Sequence, residues 1–307
     1  MPLLTLFTVP KGFAGDTGVI QRNAIESWTR LGPEVEVILC GDDEGTAQAA
    51  LDLGVRHVPE IRRNEHGTPL LDSAFEAART ASRSPLLAYV NADIILFDDF
   101  LDAAKRLPST HLMIGSRWNV ALHERLDFGQ GWQQSLRAKV AAEGSRAEPL
   151  WLDYFVFSRT SPLVDLPPFA VGRPRWDNWM IFRARSLGIR VTDATEHVHA
   201  VHQNHGYGHV PESTGELWYG PEADANHALA GKTPMLSALH ATHVMTSRGP
   251  RPLRSRRGTS GRAGGRGSSS TGDSSVWRGR QPVSTGCARG ARSRASGGAR
   301  FRQRSER

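Results

Sequence analysis

The 307-residue sequence predicts an α/β domain built on a largely parallel sheet flanked by helices. Short hydrophobic runs alternate with stretches of helical periodicity, Gly and Pro punctuate the joins, and 39% apolar residues suffice for a sizeable core. The run 3–9 reads as a buried strand. Ile20, Ala24, Ile25, Trp28 and Leu31 share one helical face, closed by Gly32-Pro33. A second strand follows at 35–40, then a short Ala- and Leu-rich helix stopped by Gly54. Residues 55–61 read as the third strand. Leu70, Leu71, Ala74, Phe75, Ala78 and Ala81 form the next helical stripe, and 86–90 is a fourth, central strand. Asp98 or Asp99 is the expected cap of a helix running to Arg106, and 111–115 closes the regular rhythm. Residues 116–246, rich in Trp, His, Gly and Pro, read as the substrate side.

Charge divides the chain sharply. Residues 248–307 hold 16 Arg, no Lys and two acids, a net of +14, while residues 1–247 hold 22 basic and 29 acidic residues, a net of −7. In the last 60 positions 39 are Arg, Gly or Ser, with no apolar periodicity, so this tail is expected to be disordered. The domain plan is therefore 1–247, with a nucleotide-binding half at 1–115 and an acceptor half at 116–247, followed by the tail. The tail lacks the repeated Arg-Gly-Gly with interleaved aromatics of RNA-binding segments, and Arg without Lys looks more like GC-rich DNA translated in an unselected frame. Any nucleic-acid contact is expected to be non-specific and confined to it.

The apolar runs fall short of the roughly 18 residues that span a bilayer, and the start lacks a basic n-region and cleavage site. A cytoplasmic protein without membrane contact is expected. Cys40 and Cys287 suggest no disulfide framework.

Ligands of open α/β sheets collect at the carboxyl ends of strands, where this sequence repeatedly places polar groups. No glycine-rich phosphate loop follows the first strand, which disfavours a dinucleotide or P-loop site. Asn91-Ala92-Asp93 follows the fourth strand, and strand alternation would put Asn91 and Asp93 on one side, at a spacing suited to a metal ligand. In Trp176-Asp177-Asn178-Trp179 two aromatics flank an acid and an amide. The rings suit sugar faces and the carboxylate can take a hydroxyl proton, although a helix start with Asp177 as cap and both Trp as core reads equally well. His197, His199, His202, His205 and His209 fall within thirteen residues, and imidazole with carboxylate suits Mn²⁺. Asp153 leads a strand at 153–157 and is a candidate for the acceptor pocket.

With these motifs in this order, residues 3–246 resemble the GT-A glycosyltransferases, the nucleotide-diphospho-sugar transferases of Rossmann-like fold. The resemblance implies a DxD-type site binding Mn²⁺ or Mg²⁺, whose first acid is Asn91 here, leaving Asp93 as the metal ligand. It implies Asp177 as acceptor base, His202 and then His205 as the late metal ligand, and Asp42 and Asp43 at the base or ribose. Asn91, Asp153, Trp176, Asn178 and Trp179 complete the expected substrate site. The implied partners are a nucleotide-sugar donor and an acceptor that the sequence does not specify. Two other classes stay open. A metal-dependent hydrolase would use the His cluster, with His197-Val198-His199 as its paired ligands, and a non-catalytic module would bind through its basic tail.

Overall fold

The computed structural model describes residues 1–204 and 218–253. In chain order the elements are β1 (Leu4–Thr8), α1 (Gly15–Thr29), β2 (Val35–Cys40), α2 (Thr46–Leu53), β3 (Arg56–Val58), α3 (Leu71–Ala81), β4 (Leu86–Val90), β5 (Ile94–Ile95), α4 (Asp98–Lys105) and β6 (His111–Ile114). They continue with β7 (Trp118–Val120), α5 (Trp132–Glu143), β8 (Ser145–Arg146), β9 (Tyr154–Ser158), α6 (Trp176–Ser186), β10 (Arg190–Asp193), β11 (Val201–Gln203), α7 (Pro221–Ala230), β12 (His243–Val244) and β13 (Arg251–Pro252).

The main sheet has the order β13-β12-β10-β6-β9-β4-β1-β2-β3. β3, β2, β1 and β4 are mutually parallel, as are β6, β10 and β12, while β9 runs antiparallel between β4 and β6. β1, β4 and β9 are buried along their whole lengths because helices cover both faces, which explains their unbroken apolar runs. Alternation divides the core. Phe7, Ile38, Leu87, Tyr89, Phe155 and Phe157 face α3 and α6, whereas Leu6, Val37, Leu39, Ala88, Tyr154 and Val156 face α1 and α4. Phe75 of α3 stacks on Phe157 with centroids 5.6 Å apart. A smaller sheet, β5-β11-β7-β8, packs Ile95, Val120 and Val201 against Leu136 and Val140 of α5.

The strand order β3-β2-β1-β4 sets the place of a ligand. From β1 the chain winds outward through β2 and β3, then returns to the other side of β1, so a crevice opens at the carboxyl ends of β1 and β4.

Several sequence expectations need correction. The third strand is three residues long instead of seven, because the chain turns away from β2 after Val58. Asp98 and Asp99 do not cap α4. Phe97 holds the cap position, both acids lie in the first turn, and Asp99 pairs with Arg137 at 2.8 Å. Residues 1–115 and 116–247 share the main sheet, since β9, β10 and β12 extend the sheet begun by β1. The sheet also runs past residue 247. A turn closed by Thr246 and Gly249 returns the chain so that β13 pairs with β12 and the Leu253 N–H reaches the Thr242 carbonyl at 2.9 Å. A chain ending at Leu253 should therefore be more stable by about 1–2 kcal/mol than one ending at Thr246, as thermal melts of the two would show. Equal melting temperatures would remove β13 from the folded unit.

A second expectation concerns acid. His111 on β6 is 5% exposed, its Nδ1 lies 2.7 Å from Thr192 Oγ1 of β10, and its ring meets that of His243 on β12 at 4.8 Å. Burial, with His243 and Arg190 adding repulsion, lowers its pKa from 6.5 to about 4. The unfolded chain then binds the proton more readily, so this group costs stability as pH falls through 6.5 toward 4, by roughly 1–3 kcal/mol. Melting temperatures at pH 7 and 4.5 should fall further apart for the native sequence than for His111→Gln. Parallel curves would show that the His pair carries no such charge penalty.

Candidate active site

The crevice at the carboxyl ends of β1 and β4 is a cleft of about 460 Å³. Lys11 follows β1 there, held by a reciprocal clamp: its N–H donates to Gln21 Oε1 at 2.7 Å and its carbonyl accepts from Gln21 Nε2 at 2.8 Å. Partial desolvation lowers the Lys11 pKa, with Asp93 opposing the shift and Arg173 adding to it, and all three line the cleft.

Asn91 and Asp93 do not lie on one extended strand. The chain turns after β4 and β5 belongs to the other sheet, so the two side chains meet different partners. Asn91 pairs with Asp153 across β4 and β9: its N–H donates to the Asp153 carbonyl at 2.9 Å and its Nδ2 to Asp153 Oδ1 at 2.8 Å. Arg117 Nη1 donates to the same carboxylate oxygen at 2.6 Å, forming an ion pair whose side chains are 11% and 6% exposed. Asp93 Oδ2 instead faces His202 Nε2 of β11 at 3.4 Å. Gln203 sets that meeting. Fully buried, it donates through Nε2 to the carbonyls of Ile20 and Asp93 at 2.9 and 3.2 Å and accepts from Asn23 Nδ2 at 3.0 Å.

Asp177 lines the same cleft from the first turn of α6. Burial, seconded by the charge of Asp153, raises its pKa from 3.8 to about 6 against the pull of nearby backbone N–H groups and Arg175. The residue before the helix, Arg175, adopts φ 89°, and its buried side chain reaches the Thr233 carbonyl at 2.8 Å. Trp176 lines the cleft while packing on Tyr89 and Phe155. Asn178 also lines it, with Nδ2 donated to the Leu236 carbonyl at 2.8 Å.

Other expected residues stand elsewhere. Trp179 packs on Phe169 outside the cleft lining, because it stands two residues from Asp177 and so on the opposite side of α6. Asp42 and Asp43 also lie outside the lining and hold Arg63, at 2.6 and 2.9 Å. His199 pairs with Asp99 at 3.1 Å. His205 lies outside the described residues. Among the described residues no group of three or more His, Cys, Asp or Glu is placed to hold a metal ion, so the candidate ligands are the pair Asp93 and His202. A carboxylate oxygen and an imidazole nitrogen at this separation suit two positions on one divalent ion, the rest being left to solvent or ligand oxygens.

The sequence puts Lys11 at the end of the first strand without assigning it a role, and gives no role to Gln21, Arg117, Arg173 or Arg175, all of which line the cleft. Arg173 and Arg175 stood in view beside the WDNW stretch, and only their basic type among acids hinted at a part in the site.

No protein-family model matches this chain, and no curated protein matches it. Solved structures do resemble it. Glucosyl-3-phosphoglycerate synthase from Mycobacterium tuberculosis, in complex with Mn²⁺, UDP and phosphoglyceric acid, is 15% identical, with a TM-score of 0.44 over 76% of this chain and 79% of that one. Its complex with Mn²⁺, UDP and glucosyl-3-phosphoglycerate gives 14% and 0.40 over 68% and 74%. A mycobacterial protein gives 17% and 0.42 over 68% and 69%. Among the described residues no helix is long and apolar enough to cross a membrane.

Proposed function

We propose that this chain is a divalent-metal-dependent glycosyltransferase that moves a sugar from a nucleoside diphosphate to an acceptor hydroxyl. One observation supports the reading above the others: Asp93, His202 and Asp177 line a single cleft at the switch point of the sheet. Asp93 and His202 would hold Mn²⁺ or Mg²⁺, which supplies positive charge against the diphosphate. Lys11 and Arg173, which line the cleft with Asp93, add fixed positive charge where the leaving group develops negative charge. Asp177 takes the proton of the acceptor hydroxyl as its oxygen bonds to the anomeric carbon, and the bond from that carbon to the diphosphate breaks. A carboxyl of pKa about 6 is ionised at neutral pH yet more basic than an exposed one, which suits that step.

The reading predicts that UDP, GDP or ADP raises the melting temperature in the presence of Mn²⁺ and much less in its absence, by mass action on the folded state. Asp93→Asn removes a charged ligand and should weaken both the Mn²⁺ and the nucleotide response. Thermal-shift titrations of both proteins give the answer. A native chain that no nucleoside diphosphate stabilises, or an Asp93→Asn variant that responds like it, sinks the assignment.

A further inference from the structure

The cleft mouth differs in character from its floor. Most large apolar side chains are buried, yet Leu150, Trp151, Trp218 and Met235 line this cleft while 47%, 38%, 48% and 49% exposed. Trp151 and Trp218 meet edge to face with centroids 5.9 Å apart, and the Arg117 guanidinium lies 5.3 Å from the Trp151 ring centre, bracing it. Exposed apolar side chains grouped at the rim of a polar site mark a surface that a ligand covers.

The cleft's arginines are held from within the protein. Arg117 gives Nη1 to Asp153 at 2.6 Å and Nε to Asn119 at 3.1 Å. Arg173 is bound to Glu222, and Arg175 gives Nη2 to the Thr233 carbonyl at 2.8 Å. Arg117 and Arg173 are paired with carboxylates, Arg175 reaches the neutral Thr233 carbonyl and hydroxyl, and the reading above assigns Lys11 with Arg173 to the donor's diphosphate. Among the described residues the exposed part of the lining, Leu150, Trp151, Trp218 and Met235, is thus aromatic and aliphatic.

We infer that the acceptor is a molecule whose reacting hydroxyl is joined to an apolar group, and that this group lies on Trp151 and Trp218 while the hydroxyl reaches Asp177. The inference rests on the glycosyltransferase reading and names its acceptor class. The two Trp would hold the aglycone through dispersion and water release, so affinity should track apolar area.

Octyl and methyl β-D-glucoside, which differ only in the apolar chain, are suitable probes, with 3-phosphoglycerate as the anionic alternative. Calorimetric titration of the full chain, below the micelle-forming concentration, should show octyl glucoside binding about tenfold or more tightly than either of the others. Trp151→Ala and Trp218→Ala should bring octyl down to the methyl level while keeping the Mn²⁺-dependent nucleotide shift, which also verifies folding. If both variants keep the octyl preference, or 3-phosphoglycerate binds best while nucleotides still stabilise the protein, the acceptor inference is overturned alone. If no nucleotide stabilises the native chain, the glycosyltransferase reading falls and takes the acceptor with it.

Discussion

Asp177→Asn should lower turnover by a factor on the order of 10² to 10⁴ and, at neutral pH, make the protein more stable. Both effects come from the same burial. With a carboxyl pKa raised from 3.8 to about 6, the folded protein binds the proton more tightly than the unfolded chain does, so stability is highest below 3.8 and is lost as pH rises through 6. At pH 7 the ionised carboxylate costs roughly 1–3 kcal/mol, which the neutral amide avoids. The sense is opposite to that of His111, so the two groups are separated by comparing variants rather than by a single pH curve. A helix cap would behave the other way: its removal would destabilise α6, whose N-cap position is held by Arg175 while the Asp177 carboxyl accepts from backbone N–H groups of the first turn. Melting at pH 7 beside steady-state rates decides between them. Turnover in the native chain should also fall on the acid side near pH 6, a limb that Asp177→Asn lacks. A destabilised variant with normal rates would remove the base.

Asp153→Ala should cost about 3–5 kcal/mol, the usual penalty for breaking one side of a buried ion pair. Arg117 would be left with its charge in a site 11% exposed, and Asn91 would lose the acceptor of its amide. Asp153→Asn keeps the shape and should lose less. Denaturant titration of the pair, with Arg117→Met and the double variant closing a cycle, isolates the coupling. A loss under about 1 kcal/mol for Asp153→Ala would show that solvent screens the pair as it does at a surface.

The parallel β1, β2 and β4 were legible because helices on both faces demand continuous apolar runs, and the helical stripes of α1 and α3 were legible for the matching reason. β9 was read as a strand, but its insertion between β4 and β6 was not, since nothing local in residues 154–158 names a partner. Part of the candidate site followed from position alone: Asp93 and Asn91 sit where a strand ends, and Asp177 sits where a helix begins. What could not be read is which neighbour each would meet. Asp42 and Asp43 end a strand in the same manner, yet Arg63 holds them outside the cleft lining. Arg117 gave no signal, because its role depends on Asp153, which is 36 positions away.

The place of β9 bears on the order in which the chain can fold. β4 and β6 are both complete by residue 114, but they are not neighbours. Each awaits an antiparallel strand ending at Ser158. A ribosome that has released only the first 115 residues has therefore produced two open sheet edges with nothing to close them. Native pairing has to wait for more than forty further residues, which makes the search non-local and slow, and leaves apolar strand edges exposed to other chains in the interval. β3-β2-β1-β4 can pair from residues 4–90, but β6 joins that sheet only once β9 has been made, and β10, β12 and β13 extend it afterwards.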